Sequence, residues 1–292
     1  MQPIIDTQLC LLRKLRAAAQ AAPGADFLMQ RVAEDLADRL APVERRFERA
    51  ATLYCGTAHA ADALVGSGKI GEVVRVEADA ALLGGGPGLV SPVDRLPLEP
   101  ESIDLAVSLL ALHEANDIPG HLIQIRRALR PDGLLLAAFA GSGTLTELRT
   151  SLLEAETELS GGASPRVIPF TDVRDAGALL QRAGFALPVA DVETVTVRYA
   201  SMFGLLRDLR AFGATSALVD RPRRPARREL FARAAQIYAD RFADADGRVR
   251  ATFSFVWLSG WAPHDSQQKP LKPGSAEISL ANILGEGGED EA

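Results

Sequence analysis

Cysteine is nearly absent: Cys10 and Cys55 are the only two in 292 residues. They stand far apart and form no Cys-x-x-Cys pair, so there is neither a disulfide framework nor a zinc clip. Histidine is also scarce. His59, His113, His121 and His264 show no i, i+4 spacing and no His-x-Glu pattern, so no metal site is expected. No run of eighteen apolar residues exists, so no membrane-spanning helix is expected. The short apolar segment around Leu9 to Leu15 carries Arg13, Lys14 and Arg16 within or after it, not before it, unlike a secretory leader. Together these absences point to a reducing compartment, the bacterial cytoplasm. Lysine is rare as well, with Lys14, Lys69, Lys269 and Lys272 the only ones among 32 basic residues. The net charge of −6 argues against nucleic acid or an anionic membrane as a general partner.

What is present is a folded core: 47% hydrophobic and 24% charged residues are ordinary globular proportions. Leu28, Val32, Leu36 and Leu40 recur every four residues, predicting an amphipathic helix with Asp26 as its N-cap and Pro42 as its stop. From Arg49 onward, short apolar runs alternate with helical segments. Strands are expected at 49–54, 73–76, 89–90, 103–110 and 134–139, with helices at 58–65 and 118–129 between them. The run Ile103 to Leu110 has no polar alternation beyond Asp104 and Ser108, the mark of a strand buried on both faces of a parallel sheet. Helices follow at about 144–159, where Thr144 and Glu147 suggest a capping box, and at 172–183. Two late strands, 192–197 and 249–259, enclose a helical stretch and suit an antiparallel edge pair. The sequence beyond Pro263 is rich in Pro, Gly, Ser and Gln and ends in acidic residues, predicting disorder. The division expected is 1–48 helical segment, 49–262 sheet domain with an insertion at about 200–245, and 263–292 extension.

Several ordered stretches resemble one family. Leu96-Pro97-Leu98, Ser102-Ile103-Asp104-Leu105 and the Arg127 to Leu134 turn with Pro131-Asp132-Gly133 are similar to segments of class I S-adenosylmethionine (SAM) methyltransferases. Leu112-His113, Asn116 to Gly120, Gly161 to Arg166, Leu180 to Pro188, Asp208-Leu209-Arg210, Gly260 to His264 and Ser266 to Pro270 narrow the resemblance. They resemble the methyltransferase-like assembly factors of respiratory complex I, with the malonyl-carrier methyltransferases as more distant cousins. The resemblance implies a Rossmann-like seven-stranded sheet and SAM as cofactor. It also implies a protein substrate or partner, and either methyl transfer or arginine hydroxylation.

The matched cofactor loop departs from the family pattern Asp-x-Gly-x-x-x-Gly, whose glycines let backbone approach the methionine end of SAM. Here Thr52 replaces the acid, Tyr54 the first glycine and Ala58 the last, while Pro92 replaces the acid near the adenine. Glu77, at the end of the second strand, remains as the expected ribose acid. Carried over from the resemblance, the cofactor-binding set is Tyr54, Gly56, Ala58, Glu77, Asp94, Arg95 and His113, and the catalytic candidates are His113 and Asp117. Tyr54 is expected to lie across the space of the methionine tail. Two readings stay open: an altered loop that still admits SAM, or a pseudo-methyltransferase in which Tyr54 fills the pocket and the fold serves as a scaffold. Plainer roles compete for single residues too. His113 can be structural, Asn116 and Asp117 can cap a helix, and the run Arg221, Arg223, Arg224, Arg227 and Arg228 can be a solvated face or a dock for an acidic partner.

Overall fold

The computed structural model describes residues 2–268; the disorder expected for the tail falls mostly outside them. Two helices, α1 (Thr7–Gln20) and α2 (Phe27–Leu40), precede the sheet. Then come β1 (Phe47–Leu53), α3 (His59–Gly66), β2 (Ile70–Glu77), β3 (Leu89–Val90), β4 (Ile103–Leu109), α4 (Ile118–Ala128) and β5 (Leu129–Ala140). The chain continues through α5 (Thr146–Ser160), α6 (Val173–Ala183), β6 (Ala186–Tyr199), α7 (Met202–Ala211), α8 (Arg228–Phe242) and β7 (Val249–Trp261). All seven strands form one sheet in the order β3-β2-β1-β4-β5-β7-β6. β1 to β5 pair in parallel and β7 runs antiparallel to both neighbours. This is the class I methyltransferase order, with its switch point between β1 and β4.

Burial explains the order. Leu105, Val107 and Leu109 of β4 face the apolar layer of α2, α3, α5, α7 and α8, while Ile103 and Ala106 face that of α4 and α6. A strand covered on both sides has no solvent face to make polar. β6, at the edge, alternates half-buried and exposed residues over most of its length, as one-sided cover requires. Arg39 of α2 closes over that region, donating to both carboxylate oxygens of Asp191 at 2.7 and 2.6 Å, with its guanidinium 4.4 Å from the Trp257 ring centre.

Some local expectations need correction. Asp26 makes no cap bond to α2; its carboxylate instead meets His59 Nε2 at 2.6 Å and so ties α2 to α3. The capping box at the start of α5 is absent. Thr144 lies two residues before the helix, donating its hydroxyl to the Ser254 carbonyl at 2.8 Å and accepting the Ser254 N–H at 3.0 Å. Glu147 turns to the Thr252 N–H of the same strand at 3.2 Å, and accepts from the Thr252 hydroxyl. These side chains go to buried polar groups of β7, where an unmade hydrogen bond costs more than at an exposed helix start. The strands also run longer than their apolar runs, β6 most of all, since strand pairing does not need apolar side chains on the exposed face.

Thr144→Val therefore tests stitching of α5 to β7, not helix capping. It leaves the Ser254 N–H without its side-chain acceptor in a buried site, and should lower stability by about 1–3 kcal/mol in chemical denaturation. Thr146→Ala, an exposed change at the helix start, should move it much less.

Candidate functional site

At the carboxyl end of β1 the chain must turn sharply into α3. Tyr54 takes up a left-handed conformation (φ 56°) and Gly56 another (φ 72°). The tyrosine thus keeps the backbone shape of the glycine it replaces, at a cost of roughly 1–2 kcal/mol for a residue with a Cβ. Its side chain is buried in the α4/α6 layer, near the ring of His121 at 5.7 Å. The phenol donates to the carbonyl oxygens of Pro92 at 2.9 Å and Arg95 at 3.2 Å. Burial pushes its ionisation well above the usual tyrosine range.

Glu77 faces the same loop. It is 1% exposed, and both its oxygens accept the Gly56 N–H, at 3.0 and 3.1 Å. Arg75 lies 3.7 Å away, with its own guanidinium held by the carbonyls of Leu82 and Leu83 at 2.9 Å each. Burial raises the Glu77 carboxyl to about 7, against the opposing pull of the Gly56 N–H and Arg75.

On the other side of the loop, the carboxyl ends of the strands open into a cavity of about 1570 Å³. Its walls come from α1, the β1–α3 loop, α5, α7, the start of α8 and β7. Gly56, Thr57 and Ala58 form part of the rim, where α3 begins with no side-chain cap. The Thr57 hydroxyl and the His113 Nδ1 are buried without a partner. His113 sits in the wall with its ring 6.1 Å from that of Phe170. Burial lowers its pKa to about 4, so at neutral pH it is an uncharged imidazole.

α1 is a wall of this cavity and not a loose leader. Asn116, after β4, accepts the N–H groups of Ile4 and Ile5 at 2.9 and 2.8 Å and donates to the Ile5 carbonyl at 2.9 Å. Lys14 and Glu114 form an ion pair beneath the helix. Burial pushes the Glu114 carboxyl up, but the ammonium beside it outweighs this and holds it below the usual range. A Cβ on Gly213 would stand 2.9 Å from the Lys14 Cα, so only glycine lets the loop after α7 pass this close.

The carried-over residues thus divide. Gly56, Ala58 and His113 line the cavity. Tyr54 and Glu77 are turned away from it into the protein, and the side chains of Asp94 and Arg95 lie exposed on the loop after β3. Tyr54 does not cross the space beside Gly56 to Ala58, as expected for the methionine tail; it lies toward Pro92, on the adenosine side, because the carbonyls there satisfy its hydroxyl. Asp117 caps α4, accepting the Gly120 N–H at 2.9 Å, and is not in the cavity wall. The Asn116 strap and the Lys14–Glu114 pair were missed, since their partners are about a hundred residues apart and no local spacing announces them.

Measured against these positions, SAM fits in one half. The cavity beside Gly56 to Ala58 has room, exposed backbone and an unpartnered hydroxyl for a methionine end. The adenosine half does not fit in this arrangement: the tyrosine ring holds the carbonyls of Pro92 and Arg95, and the ribose acid is closed on Gly56.

The family described as a methyltransferase domain matches residues 53–137. The mitochondrial arginine-hydroxylase NDUFAF5 of Homo sapiens is 36% identical over 288 residues, covering 96% of this chain and 83% of that protein. A malonyl-[acyl-carrier protein] O-methyltransferase of Halorhodospira halophila is 32% identical over 284 residues, covering 94% of each. Among solved structures, one described as a methyltransferase from Bacillus halodurans superposes with a TM-score of 0.54 at 14% identity, over 79% of this chain and 98% of that one. That likeness gives the fold: Rossmann-like, of the SAM-dependent methyltransferase type.

The raised Glu77 carboxyl makes a pH prediction. A group with a higher pKa folded than unfolded binds its proton more readily in the native state, so stability falls as pH rises from about 4.5 through 7. Glu77→Gln keeps an acceptor for the Gly56 N–H and removes the buried charge. The variant should gain about 1–3 kcal/mol at pH 8 relative to pH 5, compared with the unmodified protein. Urea midpoints at the two pH values measure it; equal pH dependence in both proteins would refute a buried, titrating Glu77.

Proposed function

The chain belongs to the NDUFAF5 arginine-hydroxylase family, and we propose that it acts on or docks to a protein during the assembly of respiratory complex I. Two things support this. The similarity runs through α1 and the insertion helices that build the cavity, not only through residues 53–137. The cavity, at the switch point of the sheet, is also where open α/β folds bind their ligands.

The observation that carries the finer reading is the position of Tyr54. SAM, the cofactor of this fold, has to displace the phenol from Pro92 and Arg95 before its adenosine half can enter. Two hydrogen bonds and a buried ring oppose that exchange, so Tyr54 works as a plug. The same plug favours a second reading, a non-catalytic assembly scaffold that keeps the methyltransferase architecture for its shape.

Two measurements test these readings. Calorimetric titration with SAM and with S-adenosylhomocysteine should show weak binding to the unmodified chain. The triple variant Thr52→Asp, Tyr54→Gly, Ala58→Gly should show a SAM-dependent rise in melting temperature that the unmodified chain lacks. Tight SAM binding by the unmodified chain would refute the plug. In the source bacterium, deletion of the chain should reduce assembled complex I, and an unaffected complex would overturn the proposal. Mass spectrometry of the residual subunits then separates the readings: an arginine that loses one oxygen atom, or a residue that loses a methyl group, on deletion marks an enzyme, and unchanged masses mark a scaffold.

A further inference from the structure

The cavity carries a charge opposite to that of the chain. Of the nine lysine and arginine side chains that line it, Lys14, Arg75, Arg166 and Arg221 face the carboxylates of Glu114, Glu77, Glu156 and Asp6, and five face none, although the whole protein has a net charge of −6. Both acids in the lining are already engaged, Asp26 with His59 and Glu114 with Lys14. Arg13 donates only to backbone, the carbonyls of Thr215 and Ser216, which leave its charge uncompensated. Arg207 and Arg210, one turn apart on α7, and Arg224 and Arg228, at the entry to α8, have no carboxylate partner among the described residues. α8 also begins with no side-chain cap, so the positive end of a fifteen-residue helix adds to the arginines. Like charges gathered in this way repel one another and persist where an anion is bound.

Most of the remaining lining is apolar. Phe203 and Leu206 of α7, Phe212 just after it and Phe231 of α8 line the wall as half-buried or exposed side chains, over a buried floor of Leu148, Leu152, Phe253 and Phe255. The volume of about 1570 Å³ exceeds the ~300–1,000 Å³ usual for compact ligands. A small inorganic anion would leave that wall wet, and a neutral hydrocarbon would leave the arginines unused.

We infer that this cavity binds an amphiphilic anion, with a carboxylate or phosphate head at Arg207, Arg210, Arg224 and Arg228 and a long apolar tail along the leucine and phenylalanine wall. The head gains charge-assisted hydrogen bonds from planar guanidinium groups, which suit carboxylate and phosphate alike. The tail removes from water a surface that is otherwise open to it. The inference does not depend on complex I as the destination.

Calorimetry on the full chain, below the micelle concentration of each probe, tests it. Dodecanoate and dodecyl phosphate should both bind. Dodecanol should bind at least about tenfold more weakly, as should inorganic phosphate, each lacking one half of the recognition. Whichever of the two heads binds more tightly identifies the natural head group. The triple variant Arg207→Glu, Arg210→Glu, Arg224→Glu changes exposed residues only and should keep its melting temperature without ligand. Its affinity for dodecanoate should fall by at least about tenfold. Dodecanol binding as tightly as dodecanoate, or an unchanged affinity in the triple variant, would overturn the inference. So would an oligoglutamate peptide that binds more tightly than either amphiphile, since the rim would then be a protein dock.

Discussion

The architecture of the site turns on the backbone at Tyr54. β1 ends where the chain must reverse toward α3, and the turn demands a left-handed residue at that point whatever its side chain. With glycine there, the space beyond would stay empty. With tyrosine, the Cβ vector fixed by φ 56° sends the ring toward α4 and the loop after β3, where two carbonyls receive its hydroxyl. The next N–H but one, that of Gly56, then points at Glu77, and the carboxylate closes on it. One strained residue therefore fills the space toward Pro92 and leaves the side of Gly56 to Ala58 as the edge of the cavity. The strain of roughly 1–2 kcal/mol is offset by the buried ring and its hydrogen bonds.

Much of the fold was legible because it rests on periodicities that survive any context. β4 has to be central, as it carries no polar face, and the helices between the strands declare a parallel sheet. The late pair β6 and β7 follows from two strands arriving after five. What could not be read is what depends on distant partners. Asp26 is a good N-cap by type, but His59 lies 33 positions on and takes its carboxylate. Thr144 and Glu147 have capping-box spacing, yet β7 is over a hundred residues away in sequence and adjacent in space. A local rule describes the best partner among neighbours, and it fails wherever folding supplies a buried partner with no alternative.

The site was legible in the same uneven way. The altered residues at 52, 54 and 58 stood out against the family pattern, and the expectation that Tyr54 crosses the space of the methionine tail was a steric argument that needed only the turn. The direction of the ring was not contained in it, because that depends on which carbonyls lie within reach behind the loop. The basic run at 221–228 was visible as a charge pattern, but a solvated face and a binding rim look alike in sequence. Arg13, Arg207 and Arg210 join Arg221, Arg224 and Arg228 around one cavity, and their positions are set by α1 and α7.

α1 links the two sides of the site. It is held at one end by the Asn116 strap and the bond from the Asp6 N–H to the Ala217 carbonyl at 2.8 Å, and beneath its middle by Lys14 and Glu114. It packs on a minor apolar cluster of Ile5, Cys10, Ala217 and Leu218, apart from the two main layers of the core. A wall that is anchored by hydrogen bonds and a buried ion pair, but carries little apolar area, opens at lower free energy than the layers beneath it. Its polar anchors are made to the loop after β4 and to the segment after α7 that leads to the arginine rim. Arg221, on that segment, donates to Asp6 at the start of α1 at 3.0 Å, so the helix and the approach to the arginine rim are tied together. At physiological ionic strength charges are screened over about 8 Å, so the arginines that share the cavity act on a ligand there while the acidic remainder of the surface has little influence on it.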